Sequence, residues 1–116
     1  MSTVFTQALK TALDKKGITL DQYYDKIHIP GTNSSRVHLY FKIEALLKSK
    51  TFWTRPDMLY QDIASLFCKY LQLYYKKEHS LQAVHLKLEK ISSKYELFHL
   101  IFSWLLRLHD KVVETN

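Results

Sequence analysis

Apolar positions along this chain recur at intervals of three and four residues with polar residues between them, which is the pattern of amphipathic helices rather than of strands. Phe5, Ala8, Leu9, Ala12 and Leu13 predict a first helix from about Thr3 to Lys16, closed by Gly17 as a left-handed cap. Lys15 and Lys16 fall in its last turn, where cations suit the helix dipole. Thr19 and Gln22 are spaced as a capping box, and Ile18 and Tyr23 as a hydrophobic staple, so a second helix starts abruptly. That helix ends near Ile27, because Pro30 disfavours helical geometry at Ile29 and Pro30-Gly31 suits the centre of a type II turn. Thr32, Asn33, Ser34 and Ser35 are candidate caps for a third helix, from about Ser35 to Lys48. Val37, Tyr40, Phe41, Ile43, Leu46 and Leu47 give it a wide apolar face that predicts burial.

The stretch "SKTFWTRPD" breaks the pattern, with Thr54 and Asp57 spaced as a second capping box and Pro56 acceptable in a first turn. A long fourth helix is predicted from there to about Lys77, with Leu59, Ile63, Leu66, Phe67, Tyr70, Leu71 and Tyr74 as its core stripe. Leu81, Val84, Leu88 and Ile91 continue at helical spacing, and Ser93 with Glu96 opens a final helix reaching about Val113. The sum is five or six helices in one all-α domain over residues 1–116, with a three-helix part (1–50) packed on antiparallel helices (51–116). The final helix is apolar around nearly its whole circumference, from Leu97 to Leu108. Two explanations fit: it is the central helix wrapped by the others, or one side of it is a homodimer interface.

Composition sharpens this picture. With 116 residues, 47% of them hydrophobic, the chain can bury a core without disulfides or a structural metal. Two glycines and two prolines leave little material for the turns of a sheet-rich fold. Cys68 stands alone, so no intrachain disulfide forms, and the N-terminus lacks a charged region followed by a long apolar run. The most apolar segment, Leu97 to Leu106, is ten residues long, short of the roughly 20 that span a bilayer. The expectation is a cytoplasmic protein that does not enter membranes. The net charge is +6, from 17 basic and 11 acidic residues. Residues 1–50 hold eight basic and four acidic side chains, and 51–116 hold nine and seven, so the bias leans to the N-terminal half. Such a balance suits nucleic acid or an acidic partner.

The run "ALKTALDKKGITLDQYYDKIHIP" resembles the start of the Cro and C1 repressor type of helix-turn-helix domain, over roughly Ala8 to Leu46. Thr19 stands where that family caps its second helix, and Tyr23, Ile27 and Ile29 stand at its apolar positions. The resemblance implies that the helix from Ser35 is a recognition helix whose N-terminal end enters the major groove. The chain departs from the family at Tyr24, where a small residue is usual, at His28, which replaces a turn glycine, and in the longer turn "PGTNSS".

Residue chemistry supplies a contact set beside that likeness. Asn33, Ser34 and Ser35 can donate to phosphate at a helix start, and Arg36 and His38 can reach base edges. Lys10, Lys15, Lys16, Lys26 and Lys42 are available to neutralise backbone charge. The leading expectation is therefore a small non-enzymatic DNA-binding protein that regulates transcription, and a homodimer suits that reading. The alternative is a helical adaptor or accessory subunit that binds another protein through an aromatic-rich surface including Phe52, Trp53, Trp104 and Leu105. The remaining aromatic residues fall on core stripes rather than on a stacking platform for single strands.

Metal and enzyme chemistry find little in the sequence. Glu96 and His99 form one Glu-x-x-His unit, where di-iron bundles use two with further glutamates. His85 and Glu89 share a helical face, while the other histidines and Cys68 lack ligand spacing. Gly17 and Gly31 stand apart, so there is no phosphate-cradling loop, and no nucleophile elbow occurs. No catalytic residue, cofactor, metal or small-molecule substrate is assigned.

Overall fold

A computed structural model describes residues 3–25, 27, 34–75, 80–91 and 93–114, with side chains over 4–25, 27, 37–73, 80–91 and 93–110. Among these residues the helices are α1 (Thr3–Asp14), α2 (Leu20–Asp25), α3 (Ser34–Lys48), α4 (Lys50–Thr54), α5 (Tyr60–Tyr75), α6 (Leu81–Glu89) and α7 (Lys94–Glu114), with a 3-10 turn at Pro56–Leu59 and no strand. The local signals at the α1–α2 junction are realised in detail. Gly17 has φ +66°, its N–H donates to the carbonyl of Asp14 at 3.2 Å, and Ile18 N–H donates to Leu13 at 3.0 Å. That pair of bonds is a Schellman closure. Gln22 N–H donates to Thr19 Oγ1 at 3.1 Å while Thr19 N–H donates to Gln22 Oε1 at 2.9 Å, the reciprocal capping box.

The segment expected to be a break is helical. Ser49 caps α4 by accepting from Thr51 N–H at 3.2 Å, and the Trp53 indole N–H donates to the Leu47 carbonyl at 2.9 Å, pinning α4 to the end of α3. The capping box expected at Thr54 and Asp57 does not form. As the last residue of α4, Thr54 donates its hydroxyl to the Lys50 carbonyl at 3.0 Å, and Asp57 instead receives Arg55 on both oxygens at 3.2 and 3.0 Å. The fourth long segment therefore begins as a 3-10 turn and becomes α-helical at Tyr60. Ser80 caps α6 by accepting from Ala83 N–H at 3.0 Å, and Ser93 caps α7 by accepting from Tyr95 N–H at 3.1 Å. The turn expected at Pro30-Gly31 lies outside the described residues.

Helix α3 packs on both α7 and α5, α5 also packs on α6 and α7, and α1 packs on α2. Phe5 of α1 meets Phe102 of α7 edge-on, with ring centroids 5.9 Å apart. On α7, Leu97, Phe98, Ile101, Phe102, Leu105 and Leu108 are buried, whereas Glu96, His99, Arg107 and Asp110 are exposed and Ser103 is half-buried. Glu96, His99, Ser103, Arg107 and Asp110 thus share one stripe, and Leu100, Trp104 and Leu106 beside it are half-buried. The radius of gyration, 14.2 Å, is near the about 13.4 Å expected of a compact domain of this length. Among the described residues no helix is long and apolar enough to cross a membrane.

Candidate nucleic-acid interface

Two polar arrangements stand out from the apolar packing, one buried and one exposed. The buried one joins α2, α3 and α7. Tyr23 is the single buried side chain of α2, and its ring stacks on the His109 imidazole with centroids 3.9 Å apart and planes 10° from parallel. His109 Nε2 lies 3.0 Å from the Tyr23 carbonyl, to which it donates. Tyr40 of α3 donates to the Tyr23 hydroxyl, and Tyr24 donates to Glu44 Oε2 at 2.8 Å. Glu44, 8% exposed, also has Lys48 Nζ 3.7 Å from its other oxygen. Burial pushes the Tyr23 and Tyr40 phenols well above their ordinary range. Burial and the Glu44 hydrogen bond do the same to Tyr24. Burial holds His109 below the usual imidazole value. With every ring stacked or bonded, this cluster is a polar clasp on α2.

The exposed arrangement is a groove between α3 and α5. It measures about 290 Å³, opens to solvent, and is lined by His38, Leu39 and Lys42 from α3 and Lys69, Gln72 and Leu73 from α5. Helical spacing builds each wall. His38 and Lys42 stand four residues apart on the exposed stripe of α3, because Leu39, Tyr40 and Ile43 turn into the core. Lys69 and Gln72 stand three apart on α5, whose Phe67 and Tyr70 are buried. Among the described residues the lining holds two lysines, a histidine, an amide and two leucines, with no acidic residue. Chemically it can hold an anion with an apolar body.

Of the contact set expected from sequence, His38 and Lys42 come together in this groove. Ser34, Ser35 and Arg36 form the first turn of α3, but their side chains lie outside the described residues, as do Asn33 and Lys26. Lys15 is placed elsewhere, in an open groove of about 400 Å³ between α1 and α7 that it shares with Gln7, Thr11, His99 and Phe102. Lys16 sits 3.9 Å from Asp110, and Lys10 is exposed on α1. Lys69 and Gln72 were not anticipated. Their spacing marks them as one polar face of α5, but nothing in the sequence shows that this face meets that of α3.

The aromatic surface expected of an adaptor is corrected by burial. Phe52 and Leu105 are both 0% exposed, because α4 folds its ring side onto the core and Leu105 lies on the inner side of α7. Trp53 and Trp104 are half-buried. The Trp53 ring lies 5.2 Å from that of Phe98, and Trp104 stacks on Tyr70 at 5.0 Å. Phe52 and Leu105 therefore present no face to a partner.

Among the described residues no three His, Cys, Asp or Glu side chains are placed to hold a metal ion. His85 Nδ1 lies 3.1 Å from Glu89 Oε1, a pair along one face of α6. No protein-family description, no curated protein and no solved structure matches this chain.

Proposed function

We propose that this chain is a small non-enzymatic DNA-binding protein, and that its contact surface is built on the exposed stripe of α3. The observation that carries this reading is the groove in which His38 and Lys42 of α3 face Lys69 of α5 with no acidic side chain among the described residues of its lining, in a chain of net charge +6. Cations gathered along one face are the electrostatic footprint of phosphate contacts. Arg36, Ser34 and Ser35 begin the same helix and extend the proposed surface towards its N-terminus, where free N–H groups favour anions. Of the four anchors of the adaptor reading, Phe52 and Leu105 are buried and Trp53 and Trp104 are half-buried.

The test is fluorescence anisotropy of labelled random-sequence DNA, single- and double-stranded, titrated with the protein at several salt concentrations from about 50 mM, where phosphate contacts are strongest. Binding that weakens steeply with salt is the expected result, with Lys42→Ala reducing the slope. Absence of binding to either DNA form at the lowest salt refutes the proposal.

A further inference from the structure

We infer that the α3–α5 groove grips one strand of nucleic acid by its sugar-phosphate backbone, with Lys42 on one wall and Lys69 on the other, and does not read bases in a duplex. This inference rests on the nucleic-acid reading above and specifies how that surface works. Geometry decides it. A single helix with its side chains is about 10–12 Å across, matching a major groove about 12 Å wide. At the level of His38 and Lys42, however, α5 stands beside α3 and contributes half of the lining. Two helices packed at about 8–10 Å between axes present a body about 20 Å wide, which a major groove does not admit. The exposed stripe of α3 is therefore one bank of a channel rather than the edge of a probe.

The lining matches a single strand in its chemistry as well. Lys42 and Lys69 supply point charges for non-bridging phosphate oxygens, and Gln72 and His38 supply further polar contacts without selecting a base. Half-buried Leu73, with the little of Leu39 that is exposed, is the apolar part of the described lining, and the hydrocarbon face of a sugar can rest against it. Among the described residues no aromatic side chain lines the groove. The described lining supplies charge and sugar contact rather than the ring stacking common in other single-strand binders.

The experiment compares, by anisotropy at several salt concentrations, an oligo-dT strand of about 12 nucleotides, a mixed-sequence strand of equal length and its duplex, a length within the site sizes of single-strand binders. Wild-type protein, Lys42→Ala, Lys69→Ala and the double variant are used; both lysines are exposed, and circular dichroism confirms that the variants keep their helices. The expected result is equal affinity for the two single strands and weaker binding of the duplex. Each single variant should lower the slope of log affinity against log salt by about 0.7, and the double variant by about 1.4, the value for one and two lost contacts to a single strand. A slope unchanged in Lys69→Ala but lowered in Lys42→Ala overturns the two-walled groove and leaves the broader proposal standing. Tighter binding of the duplex, or a preference of tenfold or more between the two strands, overturns the single-strand, backbone-only inference. No binding of any probe by the wild-type protein refutes the broader proposal itself.

Discussion

Replacing Tyr24 by Phe removes one oxygen from the surface of the clasp and leaves Glu44 Oε2 without the hydroxyl that donates to it at 2.8 Å. Glu44 is 8% exposed, and Lys48 Nζ, 3.7 Å from its other oxygen, is too distant for a good hydrogen bond. A hydrogen bond to a charged group contributes about 1.5–3 kcal/mol, and the half-exposed position of Tyr24 lets water replace part of it, so the cost should be about 1.5 kcal/mol. For a domain of this size that lowers the melting temperature by about 6 °C. Tyr24→Ala also removes a ring that meets Tyr23 edge-on at 5.2 Å, which brings the cost to about 3 kcal/mol. The sign of the alanine variant is the informative part. In a helix-turn-helix with a close crossing at this position, alanine is the preferred residue and should be neutral or stabilising. Urea unfolding followed by circular dichroism, with Glu44→Ala and the double variant, measures both effects. Additivity of Tyr24→Phe and Glu44→Ala within about 0.5 kcal/mol would show that the two groups do not interact, and would refute the reasoning.

Leu105→Ala should cost about 3 kcal/mol in the same unfolding assay, because a fully buried leucine leaves a cavity; unchanged stability would return Leu105 to the surface. Gly17→Ala should cost about 1 kcal/mol from its φ of +66° alone, since a Cβ there meets nothing within 4 Å. Stability should fall as pH drops below about 6.5, because the unfolded chain then takes up a proton that buried His109, with its lowered pKa, resists. His109→Gln should flatten that part of the profile, and a pH dependence identical to wild type would show that His109 is not its source.

Much of the fold was legible because it is set by neighbours in sequence. The Schellman closure at Gly17 and the capping box at Thr19 each involve residues within five positions, so the chain specifies them before any packing occurs. The connector at Thr54 was misleading for the same reason in reverse. Its capping pattern was intact, but α4 took Thr54 as its last residue once the Trp53 indole had found the Leu47 carbonyl. Of the groove, His38 and Lys42 were in the contact set expected from sequence, whereas Lys69 and Gln72 were not, because nothing near them in the chain shows which helix their face meets.

The sequence by itself determined an all-α chain with an excess of cations, because helical periodicity, caps and charge are read from adjacent residues. Which cations share a surface was decided only by tertiary structure. The packing of α3 against α5 set Lys42 across a groove from Lys69, twenty-seven positions away, while Lys15 went to the α1–α7 groove and Lys16 to Asp110. The meeting of α2 with α7 buried Tyr23 against His109, eighty-six positions apart. Burying the apolar faces fixes how the helices lie together, and the polar side chains on their outer faces are carried into proximity by an arrangement they do little to choose.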